Sequence, residues 1–149
     1  MNQQHTVDAT TALDARHGRV TLSIAALAAL ATYLDTTILF VAFPDINATF
    51  DGSSASTLSW VLNAYTIAFA ALLVPAGKVA DRLGHRLAFL VGSAIFTVSS
   101  MACGLAPNVE LLIIARIAQG IGAAILIPSS LALVMAAFPR EKLPHVVAI

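Results

Sequence analysis

The chain has 149 residues, 58% of them hydrophobic and only 11% charged, with net charge zero and a mean hydropathy of +0.86. Soluble domains carry about 25% charged residues, so an ordinary soluble domain is excluded, and the balanced charge gives no sign of a nucleic-acid partner. Cys103 is the only cysteine and the four histidines are scattered, which excludes an intrachain disulfide and a Cys/His metal cluster.

Residues 1–19 are polar, contain Asp8, Asp14, Arg16 and Arg19, and lack hydrophobic periodicity. They read as a short, mobile cytoplasmic tail. They are not the start of a secretory signal, because the apolar run that follows is too long, contains Asp35 and lacks a small-residue cleavage site. Four long apolar segments then predict helices at about 20–43, 58–79, 87–106 and 109–138. Each is long enough to cross a hydrocarbon core of about 30 Å, which takes about 20 residues. The fourth is longer than necessary and predicts tilt, projection beyond the lipid, or a bend near Pro128. Phe138–Pro144 reads as a further joint, and His145–Ile149 begins a fifth apolar run that stops. The sequence therefore reads as an N-terminal piece of a longer protein or a truncated product. It has no Walker loop and no nucleophile–base pair, so neither ATP coupling nor an enzyme activity is supported.

The basic residues fix an expected orientation. Arg16 and Arg19 precede the first helix, Lys78, Arg82 and Arg86 lie at the second joint, and Arg140 and Lys142 follow the fourth helix. The first and third joints, 44–57 and 107–108, contain no Lys or Arg. Seven of the eight basic residues thus fall on one side, and the eighth, Arg116, lies inside a helix. The positive-inside rule places that side, and the N-terminus, in the cytoplasm of a multi-pass protein of the plasma or inner membrane. Trp60 then lies at the outer interface, where an indole is at home.

Asp35 lies in the first helix. A carboxylate at that depth costs about 2.5–3.5 kcal/mol to insert, so it should face the bundle interior. It reads as a proton or cationic-substrate site, or as a structural acid neutralised by one partner. Arg116, in the fourth helix, lies at about the same depth, roughly 10–12 Å below the outer boundary. The two form a natural pair if those helices adjoin, either as a switch set by protonation or as a static ion pair. Gln119, Gly120 and Ala123 share a face with Arg116. The small residues suit close packing, and Gln119 can hydrogen-bond to Arg116 or to a ligand. Tyr33, Asn63 and Tyr65 are polar points that line a path or satisfy one another. Thr36 and Thr37 should bond back to their own helix. In the joint 77–86, Gly77 lets helices two and three close up and Gly84 relieves the turn. Asp81 sits among Lys78, Arg82, His85 and Arg86, as an anchor or as a latch.

Three blocks, in order, resemble one family. Gly77–Arg86 reads Gly-x-x-x-Asp-Arg-x-Gly-x-Arg, similar to the motif between helices two and three of the major facilitator superfamily. Leu34–Pro44, Leu-Asp-Thr-Thr-Ile-Leu-Phe-Val-Ala-Phe-Pro, resembles the first-helix motif of its fourteen-helix drug:proton antiporter branch. Leu112–Ala124 resembles the fourth-helix motif. Phe40 stands where that branch has Asn, and His85 where it has Arg. The resemblance implies an all-α polytopic membrane protein, here the first four transmembrane helices and the start of a fifth. It implies proton-coupled export of drugs or other amphiphilic organic compounds (multidrug efflux), with no cofactor beyond a proton gradient. Asp35, Arg116 and Gln119 would then serve proton coupling or substrate. Gly77, Asp81, Arg82, Gly84 and Arg86 would form a conformational latch. The implied partners are membrane lipid, protons, a small organic substrate and the missing C-terminal half, with no nucleic acid. Two other readings are a truncated, non-transporting membrane module and a small four-helix exporter that dimerises.

Overall fold

A computed structural model describes the backbone of residues 2–50 and 54–137, and side chains from residue 20 onward. Four helices, α1 (Asn2–Thr49), α2 (Ala55–Leu83), α3 (His85–Gly104) and α4 (Val109–Ala137), make up nearly all of it, with no strand among the described residues. Each contains a stretch long and apolar enough to cross a membrane, beginning at Val20 in α1. The all-α architecture expected from the four apolar runs is what forms. Helices suit such runs because backbone N–H and C=O groups must find partners within the segment when lipid offers none.

The boundaries differ from those expected, each for a local reason. Backbone helix continues through the polar residues from Asn2. At its other end α1 runs past Phe43 and Pro44 to Thr49. Pro44 removes one donor and crowds the preceding turn, but Phe43, Ile46 and Phe50 pack against a buried cluster of Leu58, Val61, Val109 and Leu112. That packing holds the helix beyond its proline. Pro75 and Pro128 are likewise carried inside α2 and α4.

The joint 77–86 is far tighter than a ten-residue hairpin. Gly77, Asp81 and Arg82 belong to the last turns of α2, Arg86 belongs to α3, and Gly84 alone breaks the helix. Its φ of +93° lies where side chains are strained, and its N–H closes α2 on the Ala80 carbonyl at 2.9 Å. Gly77 faces Pro128 of α4, 4.0 Å from where its Cβ would stand, and has no such close neighbour on α3. Two caps set the other starts. Ser54 Oγ accepts the Thr57 N–H at 3.2 Å ahead of α2, and Asn108 Oδ1 accepts the Leu111 N–H at 2.8 Å ahead of α4.

Helix α4 is the hub. It packs along both α2 and α3 and over a shorter length against α1. Glycines permit the close approaches. A Cβ on Gly122 would lie 2.6 Å from Phe96 N, and one on Gly92 would lie 2.9 Å from Leu126 N, so α3 and α4 touch backbone to backbone. A Cβ on Gly120 would lie 2.6 Å from the Tyr65 carbonyl oxygen of α2. The small residues beside Arg116 therefore serve packing. By contrast, residues 21–33 in the middle of α1 are flanked by two cavities of about 360 and 710 Å³, one against α3 and both against α4. Asp51, Arg140, Lys142 and the fifth apolar run lie outside the described residues.

Candidate functional site

The seam between α1 and α4 contains a closed ring of three polar side chains. Arg116 Nη1 donates to Asp35 Oδ2 at 2.6 Å and to Gln119 Oε1 at 2.8 Å. Gln119 Nε2 donates to Asp35 Oδ1 at 2.6 Å. Gln119 is fully buried, Arg116 is 2% exposed, and the Asp35 side chain is 18% exposed. The i, i+3 spacing on α4 points Arg116 and Gln119 the same way. Asp35 meets them because α1 lies against α4 at that depth. Thr32, Thr36 and Thr37 donate to the carbonyls of Ala29, Thr32 and Tyr33 within α1, and Thr36 also hydrogen-bonds with the Tyr65 side chain.

Tyr65 of α2 completes the floor. Its ring centroid lies 4.5 Å from Arg116 Cζ, and Phe69 stacks behind it with centroids 6.1 Å apart. A guanidinium held over a desolvated ring gains a cation–π attraction that does not depend on Asp35. Cys103 Sγ of α3 lies 3.6 Å from Gln119 Oε1. Arg116 Nε is buried without a partner.

This wiring has a chemical consequence. Ionised Asp35 is an acceptor at both oxygens, and each oxygen already faces a donor. A proton placed on Oδ1 opposes the Gln119 amide; one placed on Oδ2 opposes Arg116. Turning the Gln119 amide would let its oxygen accept from a protonated Asp35. It would also bring the NH₂ group against Arg116 Nη1, donor to donor. Protonation of Asp35 therefore keeps all three bonds only if the acid proton turns away from both donors; otherwise it costs one of them, in a setting where an unpaired polar group is costly. Arg116 retains the Tyr65 ring when its carboxylate is neutralised.

Of the remaining candidates, Tyr65 joins the site, whereas Tyr33 is 71% exposed and Asn63 is also exposed. The residues of the α2–α3 corner do not meet the ring. There Asp81 faces His85 Nε2 at 3.6 Å, and both are partly or largely exposed. Lys78, Arg82 and Arg86 form no ion pair among the described residues. The sequence alone leaves the contacts of Tyr65 and Cys103 with the ring unidentified. Depth matching, which pairs Asp35 with Arg116, extends to Tyr65. Cys103 is one residue from the end of α3, and only the crossing of α3 over α4 brings it to Gln119.

The sequence pattern of the Major Facilitator Superfamily matches residues 25–149. The chain is 42% identical over 123 residues to the multidrug resistance protein Stp of Mycobacterium tuberculosis, covering 83% of this chain and 23% of that protein. It is 41% identical over 109 residues to the methylenomycin A resistance protein of Streptomyces coelicolor, covering 73% and 23%. With the tetracenomycin C resistance and export protein of Streptomyces glaucescens it shares 40% identity over 129 residues, covering 87% and 24%. The chain thus spans about a quarter of the length of these curated relatives. The chain, a multi-pass bundle with its polar ring at the α1–α4 seam, belongs to the major facilitator superfamily.

Proposed function

We propose that the full-length protein is a secondary transporter that exports drug-like or antibiotic compounds in exchange for protons, with Asp35 as the proton-carrying group. The supporting observation is the closed Asp35–Arg116–Gln119 ring. Adding a proton to Asp35 removes the anion to which both α4 donors are bonded and so weakens the two bonds that join α1 to α4. Such a ring converts occupancy by one proton into a change at a helix seam, the kind of bistable contact that conformational switching requires. Relatives named for drug or antibiotic resistance, one of them also for export, support the substrate class.

In this reading deprotonated Asp35 holds α1 to α4, and protonation releases Arg116 toward Tyr65. Gly77, Asp81, Arg82, Gly84 and Arg86 form a corner whose charged groups engage a part of the protein beyond residue 149. The basic corner and the N-terminus face the cytoplasm, in the plasma or inner membrane. The test is Asp35→Asn in the full-length protein, reconstituted in vesicles with an imposed proton gradient. Asparagine keeps an acceptor for Arg116 but carries no exchangeable acid proton. Gradient-driven substrate movement is expected to disappear while membrane insertion persists. Undiminished gradient-driven transport by the variant overturns the role of Asp35.

A further inference from the structure

The ring does not face only protein. A cavity of about 380 Å³ runs between α1, α3 and α4, and Asp35, Arg116 and Cys103 line it together with Asp45 and Thr49. Asp45 is exposed, ten residues beyond Asp35 on the same helix, a separation of about 15 Å along the axis. The cavity therefore reaches from the buried ring toward the end of the bundle where α1 finishes. Between the two acids its wall is apolar, with Ile38, Leu39 and Leu112 among the lining side chains.

Charge along this cavity is uneven. At the floor Asp35 and Arg116 neutralise each other at 2.6 Å. Asp45 makes no ion pair among the described residues, so its carboxylate is the uncompensated charge of the lining. A single negative charge over low-dielectric walls focuses its field into the space they enclose, concentrates cations there and repels anions. We infer that this cavity is a cation-selective approach to the buried ring, with Asp45 as the attracting group at its mouth and hydronium or a small hydrated monovalent cation as its occupant. Asp45 is a positioning residue: it raises the local cation concentration and does not touch the ring. Its service to proton exchange rests on the function proposed above; the sign of the cavity's field does not.

Cys103 supplies a native reporter, because it lines the same cavity and lies against Gln119. The experiment uses the full-length protein with any cysteine beyond residue 149 replaced. Cationic and anionic methanethiosulfonates of equal size label Cys103, each rate being normalised to that with a small free thiol. At low ionic strength the cationic reagent is expected to react faster. Asp45→Asn should lower the cation-to-anion ratio roughly three- to tenfold, as expected for one charge acting across a partly desolvated path of this length. Asp45→Glu should restore it. At about 1 M salt, where screening acts within about 3 Å, the unaltered protein should approach the variant. A ratio indifferent to Asp45→Asn or to salt, or a Cys103 that reacts with neither reagent, overturns the inference. Gradient-driven transport measured in the same vesicles separates the two claims. A preserved labelling preference without proton-driven transport would leave the cavity's selectivity standing and remove the proposed function.

Discussion

Helix α4 makes two unlike seams. Toward α2 and α3 it offers Gly120 and Gly122, and backbones approach until no Cβ would fit. Toward α1 it offers Arg116 and Gln119, which grip a single carboxylate. The Gly122 seam with α3 meets Phe96 and Gly92 and contains no titratable group at its closest approach, so no change of protonation can loosen it. The polar seam depends on the charge of one atom pair. Residues 21–33 of α1 are also flanked by cavities, whereas α2 and α3 have tight contact with α4. Helices α2, α3 and α4 therefore form the fixed frame, and α1 is the element whose attachment chemistry can alter.

The strongest way to break this comparison is to remove the cation. Arg116→Ala leaves Asp35 and Gln119 without their partner in a desolvated seam, and breaking a buried pair from one side costs about 3–5 kcal/mol. A large fall in thermal stability of the detergent-solubilised protein is expected, with partial recovery in the double variant Asp35→Asn, Arg116→Ala. Independent, additive losses would show that the two residues do not act as one unit. The glycine seam should respond next. Gly122→Ala must push Phe96 backbone away from a 2.6 Å contact, and overpacking of this kind costs about 1–3 kcal/mol. That loss should be the same at every pH, because nothing titrates there. A pH-dependent loss would erase the distinction between the seams.

Tyr65 sharpens the comparison on a smaller scale. Tyr65→Leu removes the ring beneath Arg116 and should cost about 1–2 kcal/mol, whereas Tyr65→Phe keeps the ring face and should cost far less. Equal losses in a thermal melt would assign the stabilisation to the phenol hydroxyl instead of the ring.

Much of this frame was legible in the residues. Four charge-poor runs specify four helices, and an acid and an arginine at matched depth suggest a pair on the condition that α1 and α4 adjoin, since lipid tolerates neither alone. The helix ends were not legible. Pro44 argues for a stop after Phe43, yet the packing of Phe43, Ile46 and Phe50 on the α2–α4 cluster outweighs it. Charged residues from Lys78 to Arg86 suggest a loop, yet one glycine with positive φ suffices to turn the chain. The wiring of Gln119 to both Asp35 and Arg116 requires knowing which amide atom faces which helix, and spacing along α4 cannot supply that.

The smallest effect is expected at the corner, where Asp81 and His85 face each other at 3.6 Å with the Asp81 side chain 71% exposed. Solvent-exposed pairs of this kind contribute about 0–1 kcal/mol, so Asp81→Asn should leave the melting temperature of the protein almost unchanged. Its bonding inside residues 20–137 gives it no structural task comparable to that of Asp35. Any substantial loss of transport in the full-length Asp81→Asn variant must then arise from a contact outside this bundle, as a latch requires. Comparing melting temperature with vesicle transport decides the matter. Normal stability with lost transport supports the latch, while normal transport reduces the corner to a membrane-surface anchor. Either result sharpens the contrast between the seam that holds α1 and the exposed charges that hold nothing within the four helices.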